Sequence, residues 1–289
     1  MEKTSFLKIG GVPEHFNLPW IQAFQKQKLQ SIGIETNWIF FPGGTGAMTN
    51  ALHSGDLDVA ILLTEGFLAA FQKGLKAKII QCYIETPLQW GIYSNKKDEL
   101  YFDTTTKIAV SRKGSGSHLM PLIHSEMQGK ILRDDQFKVI HHLEDGIASL
   151  HEDCDYFYWE KWMTQPFVDR GQCKMIGEFH APWSSFLIVA SDKCIEEQAE
   201  QLLLMLKVIE EQVQCFLGDP DTPLEISKQF QLSPENAEKW LSEQEWHHNH
   251  NVIHQNEIIN AMNALQRVGI DMKQVKLEEL FAPWITLAP

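Results

Sequence analysis

Apolar residues fall along this chain in short runs separated by stretches of helical spacing. "SFLKIGG", "IETNWIFF" and "DVAILL" read as three strands; the second alternates and the third is buried. A helix from about Pro19 to Ser31 separates the first two strands. Another helix, opening at the glycine-rich "FPGGTGAMTN", separates the second from the third. Strand, helix, strand, helix, strand is the pattern of an α/β unit built on a parallel sheet.

After "KAKIIQCYIETPLQWGIYSN" the pattern pauses at the polar "NKKDELYFDTTT" and restarts. "KIAVSRKGSGSHLMPLIHSEM" is again a strand, a turn and a helix; "FKVIHH", "LEDGIASLHE" and "CDYFYWEK" add a strand, a helix and a strand, so a second α/β unit repeats the first. Two more strands are expected in "CKMIGEFHAPWSSFLIVASD", and from Ile195 onward the chain reads as almost entirely helical. A long amphipathic helix is expected to end at Gly218. Ser233 is placed as an N-cap with Pro234 at the first helical position, and Gly269 as a helix stop.

A length of 289 residues suits about two domains, and a composition of 44% hydrophobic and 22% charged residues is that of a folded globular chain. The formal net charge of -13 disfavours nucleic acid and anionic lipid as partners. The five cysteines are scattered, without a CxxC pair, and are expected as buried thiols of a reducing compartment. No run has the length of a membrane span, and the first residues lack a signal-peptide pattern. The expected location is cytoplasmic as the sequence stands, and periplasmic or extracellular if a leader has been removed.

The glycine-rich turn is the first candidate for chemistry. Gly43, Gly44, Thr45 and Gly46 stand before a helix, where free backbone N–H groups and the helix dipole suit an anion or a carbonyl oxygen. The stretch fits neither a P-loop nor GxGxxG, so a nucleotide is not expected. "SRKGSGSHLM" places Ser115, Gly116, Ser117 and His118 at the start of a helix in the second unit, with Arg112 and Lys113 beside them. Two such cradles in separate units suggest one ligand held between two lobes.

Taken in order, "GGTGAMTNALHSGDLDVAIL", "KIAVSRKGSGSH", "DCDYFYWEKW" and "APWSSFLIVASD" before a long helix resemble the periplasmic binding protein type II fold. Within it they resemble the nitrate-, taurine- and sulfonate-binding proteins and their thiamine-pyrimidine synthase relatives. The resemblance spans about Lys8 to Leu280. It implies an α/β protein of two lobes with a central cleft and a helical tail. The first lobe would be 1–95 plus 187–289 and the second 96–186, with hinge closure on the ligand. By position it implies cleft residues at Gly11, Val12, Pro13, Glu14, His15 and Phe16 and at Gly43 to Met48. It adds Thr64, Glu65, Ser115 to His118, Trp159, Glu160 and the flanking Trp183.

The leading functional expectation is a solute-binding protein of ABC-transporter type, for an anionic or heteroaromatic small molecule, with a permease as partner and no cofactor. The alternative is a cytosolic biosynthetic enzyme on the same fold, akin to thiamine-pyrimidine synthases or menaquinone-pathway enzymes, with His15 and Glu160 or Glu65 moving protons. The synthases' cysteine cluster has no counterpart here. A third is a cytosolic sensor whose closure a partner reads. In "EWHHNHNVIH", His247, His250 and His254 would share a face if helical, with Glu243 a turn away, but no metal is assigned.

Overall fold

In the computed structural model, which describes residues 5–247 and 251–289, the two expected α/β units are present as two five-stranded sheets. The first half of the chain runs β1 (Ser5–Gly11), α1 (Leu18–Gln25), β2 (Ile34–Phe40), α2 (Gly44–Ser54), β3 (Val59–Leu63), α3 (Thr64–Gln72), β4 (Ala77–Ile84) and β5 (Gln89–Ser94). It continues with β6 (Ile108–Val110), α4 (Gly116–Met127), β7 (Phe137–Val139), α5 (Leu143–His151), β8 (Tyr156–Glu160), α6 (Lys161–Asp169) and β9 (Lys174–His180). The remainder is β10 (Phe186–Ser191), α7 (Asp192–Gly218), α8 (Thr222–Phe230), α9 (Pro234–Glu243), β11 (Val252–His254), α10 (Gln255–Arg267) and β12 (Thr286–Ala288).

The first sheet has the order β2-β1-β3-β10-β4 and the second β7-β6-β8-β5-β9. In each, three parallel strands are followed by one antiparallel strand and an edge strand. The antiparallel strands are exchanged: β5 follows β4 yet pairs with β8 and β9, and β10 follows β9 yet pairs with β3 and β4. Only two connections, between Ile84 and Gln89 and between His180 and Phe186, therefore cross from sheet to sheet within this part of the chain. The expected lobe boundary at residue 95 falls on the far side of β5, whose hydrogen bonds place it in the second sheet.

Several expected elements are present with altered ends. The helix expected to run to Ser31 stops at Gln25, because Gln27 adopts a left-handed backbone (φ 52°) that no helix accommodates. The helix expected from Ile195 begins at Asp192, capped by the Ser191 hydroxyl, and is interrupted at Gln198. Ser233 does cap α9, accepting from the Asn236 N–H, and Gly269 takes φ 91° just after α10. α3 and α6 have no counterpart among the expected elements, whereas α8 falls within the stretch expected to be helical. The tail is also less helical than expected, since β11 and β12 pair as a small parallel sheet.

The tail positions the site. α7 packs on α1, where Gln212 donates to Gln22 (2.6 Å) and Gln22 to Glu225 of α8 (2.7 Å). The segment after α9 runs along the edge strand β4, with Glu85 N–H donating to Glu245 (2.8 Å) and His247 N–H to Tyr83 (3.1 Å). This covers a sheet edge that would otherwise expose its N–H and C=O groups. α10 touches both α3 of the first unit and α4 of the second, and Arg267 pairs with Glu126 at 3.0 Å.

α2 and α3 meet at Gly66, where an added methyl group would overlap Thr45 Cγ2. Alanine is normally the better helix residue by about 1 kcal/mol. Gly66→Ala is expected to destabilise instead, by about 1–3 kcal/mol from overpacking. Adding Thr45→Ser, which removes that methyl and keeps the hydroxyl accepting from Leu63 N–H (3.3 Å), should recover part of the loss. Urea unfolding of the single and double variants decides it: no recovery in the double variant would count against this contact.

Candidate functional site

The carboxyl ends of β1 and β3 face those of β6 and β8, the edge at which open α/β sheets place ligands. The loop after β1 carries Val12, Glu14, His15 and Phe16. It is held by Asn17, whose amide donates to Val12 O (2.8 Å), and by Tyr83, whose hydroxyl donates to Phe16 O (2.8 Å). Phe16 is core, packed on Phe186 and Trp240. His15 is fully buried, its ring 4.3 Å from Trp240 of α9 and 5.5 Å from Phe230 of α8.

His15 also spans the two sheets, its Nε2 lying 3.6 Å from Glu160 Oε2 at the end of β8. Neither ring nitrogen has a hydrogen-bond partner. Burial lowers the His15 pKa to about 3 and so keeps the ring neutral. Glu160 caps α6, its Oε2 accepting from Met163 N–H at 2.6 Å, while its Oε1 has no partner. Burial, reinforced by repulsion from Glu14, raises the Glu160 pKa to about 8. Half-buried Glu14 is itself raised to about 7 by desolvation.

Thr64 and Glu65 follow β3 as the first turn of α3. The Thr64 hydroxyl is spent on the returning chain, donating to Ser184 O at 2.6 Å. Glu65 Oε2 accepts from the indole N–H of Trp183 (3.1 Å), and its Oε1 is unpartnered. Its pKa is raised to about 7 by burial. Trp183 is buried against this carboxylate on the second crossing.

The two expected cradles meet each other. Arg112, ahead of α4, donates to Gly43 O at 2.5 Å and lies over Gly46, so a guanidinium covers the start of α2. Gly44 takes φ 66°, which glycine adopts at no steric cost. Thr45 is buried under α3, and Met48 is core. Across the seam, Gly116 is pressed against Trp90 and Leu63, a contact that leaves no room for a side chain. The serine hydroxyls serve their own turn: Ser115 donates to Arg112 O (2.8 Å), and Ser117 accepts from Ser111 N–H (2.9 Å). His118 Nδ1 accepts from Gly114 N–H (3.1 Å), its Nε2 is unpartnered, and burial lowers its pKa.

Trp159 does not join this set. It sits 5.2 Å from Phe157 and packs on the other core of the second unit, because alternation along β8 turns it away from Glu160. The seam instead gains Trp90, paired opposite Glu160 across β5 and β8, with its indole N–H unpartnered, and Trp240 and Phe230 from the tail. Outside it lies a groove of about 590 Å³ lined by Pro13, Phe40, Met163, Phe167, Arg170 and Phe230, so both units and the tail form its walls. The expected histidine face is not formed. His247 pairs with Glu85 at 2.6 Å in a non-helical segment, His254 ends β11, and His250 lies outside the described residues. Among the described residues no group of three or more His, Cys, Asp or Glu is placed to hold a metal.

Over 98% of its length the chain superposes, with a TM-score of 0.89 and 24% identity, on 98% of the Candida albicans CA3427 gene product, which defines a family with the generic periplasmic binding protein fold. The chain has the periplasmic binding protein fold. The sequence model of Ca3427-like periplasmic binding proteins matches residues 90–179, the stretch from β5 to β9 that builds the second sheet. The same fold relates the chain to the alkanesulfonate-binding protein SsuA of Xanthomonas axonopodis pv. citri bound to MOPS, at 15% identity and TM-score 0.76 over 100% of both chains. It also relates it to the periplasmic nitrate-binding protein NrtA of Synechocystis PCC 6803, at 13% identity and TM-score 0.72 over 96% of this chain and 84% of that one. No curated protein matches the sequence. As a periplasmic-binding-protein fold, the chain has its candidate site where its two sheets oppose.

The seam has a pH signature. Glu14, Glu65 and Glu160 have raised folded pKa values, so the stability linked to them is full below their ordinary value of 4.5 and is lost as pH rises through 7 to 8. His15 is depressed, and its contribution is present above 6.5 and lost as pH falls toward 3. Above about pH 6.5 only the carboxyls act, so the melting temperature is expected to fall between about pH 6.5 and pH 8.5. Glu160→Gln, which keeps an acceptor for Met163, should flatten that fall. Thermal melts across the range check this, and equal slopes would exclude Glu160 as a source.

Proposed function

We propose that the protein is a solute-binding protein that holds one small molecule in the seam between its sheets, closing on it by hinge motion about the two crossings. The observation that carries this reading is the meeting of His15 and Glu160 from different sheets, both buried, with the histidine's two nitrogens and one carboxylate oxygen unpartnered. Buried polar atoms without partners are costly and rare, and a ligand seated between them would supply the missing hydrogen bonds. The likeness to sulfonate- and nitrate-binding proteins supports the same use of the fold. Delivery of the solute to an ABC permease is the finer part of the proposal. No helix among the described residues is long and apolar enough to cross a membrane, so that step would require a partner.

The second reading, an enzyme, is favoured by one feature: a neutral histidine 3.6 Å from a carboxyl whose pKa is raised to about 8 is a pair suited to moving a proton.

The test exposes the purified protein to a small-molecule extract, removes unbound material, denatures the protein and identifies the released compound by mass spectrometry. Wild type should retain one compound. Met163→Trp, which fills the groove mouth without touching the core, should fold normally and lose most of it. Retention of nothing, or equal retention by both, would remove the proposal; a compound released chemically changed would favour the enzyme.

A further inference from the structure

His15 is fully buried, yet the groove of about 590 Å³ comes close to it. The groove is lined by Pro13, two residues before His15, and by Met163, whose N–H donates to Glu160. His15 and Glu160 are not among its walls. Phe230, the last residue of α8, is one of them, and its ring also lies 5.5 Å from the His15 ring in a T-shaped contact. One aromatic side chain therefore stands between an open groove and the buried pair.

That side chain sits between two fixed points. On the near side α8 is anchored: the Thr222 hydroxyl donates to Phe216 O (2.7 Å), Glu225 accepts from Gln22, and Ile226 is fully buried. On the far side Leu232 is buried, and its carbonyl accepts from the Ser227 hydroxyl (2.7 Å). Between them Phe230 is only partly buried, and Gln231 is exposed with a left-handed backbone (φ 58°). A partly buried side chain can change rotamer without unfolding its helix, and does so far faster than domains swing on a hinge.

The same turn is tied to the second unit. Arg170 donates through Nη1 to Gln231 Oε1 (3.4 Å) and through Nε to Gln172 Oε1 (3.1 Å), with its guanidinium over the Phe167 ring. We infer that Phe230 is a gate whose ring closes the passage from the groove to His15 and Glu160, and that the Arg170–Gln231 contact steadies the turn that carries it. This rests on the proposed binding role of the seam, and adds a way in that needs no separation of the two sheets.

The experiment treats the full chain at about pH 7 with diethyl pyrocarbonate, which acylates neutral imidazole, and follows each histidine by peptide mass mapping. Burial keeps His15 neutral, so access and not protonation sets its rate. In wild type His15 should react far more slowly than exposed His141. Phe230→Ala, shown by its melt to be folded, should speed the His15 reaction about tenfold or more and leave His141 unchanged. Gln231→Gly removes the acceptor for Arg170 and puts glycine where φ is positive, so it should fold at least as well and give a smaller acceleration. The radius of gyration from small-angle X-ray scattering should be the same for all three proteins. An unchanged His15 rate in both variants would overturn the gate, as would a wild-type His15 that reacts as fast as His141. Acceleration accompanied by a larger radius would overturn it in favour of sheet separation. Acceleration by Phe230→Ala alone would keep the gate and remove the role of Arg170. No solute is used, so the retention experiment above judges the binding role independently.

Discussion

The exchange of β5 and β10 is the constraint on which the rest of this protein depends. β10 is wholly apolar up to Ser191 and fills the gap between β3 and β4, so the first sheet is completed only after the chain has built the second and returned. β5 does the converse for the second sheet. Each sheet therefore contains a strand delivered from the neighbourhood of the other, and the short connections that deliver them keep the two sheets' carboxyl ends opposed. Trp90 rides on one exchanged strand, and Trp183 on the connection that leads into the other. The seam is thus a product of topology before it is a product of side-chain chemistry.

Desolvation dominates the electrostatics of that seam. For His15, Glu14, Glu65 and Glu160 alike, burial is the largest influence on protonation, and in each case it favours the neutral form. An apolar replacement at these positions would satisfy packing at lower cost, since unpaired ionisable groups in a dry interior oppose folding. A chain that departs from local economy at several converging positions does so where function is expected. The aromatic rings around His15 deepen the effect by excluding water from it.

Much of this arrangement was legible in the sequence, because the relevant signals are local. Apolar runs marked the strands other than β4 and β5, Ser233 and Pro234 marked the start of α9, and Gly269 the stop of α10. The loops after β1, β3 and β8 could be singled out as ligand-facing through a family resemblance, and those after β1 and β8 meet at His15 and Glu160. α3 and α6 were hidden because they start directly from a strand with no turn between, Leu63 and Glu160 standing at their N-caps. The contribution of Trp240 was hidden for another reason: it lies far along the chain from His15, and only the docking of the tail brings the two rings together. Trp159 was misdirected by one position of strand register, which is all it takes to send a side chain to the opposite face. The serines of "SRKGSGSH" looked free because a sequence does not reveal which hydroxyls the turn itself consumes.

The indoles of the seam have a consequence for observing the molecule at work. Trp90 belongs to the second sheet, Trp183 to a crossing and Trp240 to the tail; the N–H groups of Trp90 and Trp240 are buried without partners, whereas that of Trp183 is held by a carboxylate. An excited indole shifts its emission with the polarity around it. Any event that admits water between the sheets, or replaces it with a solute, is therefore written into the protein's own optical spectrum at three points of the same interface, with no label attached.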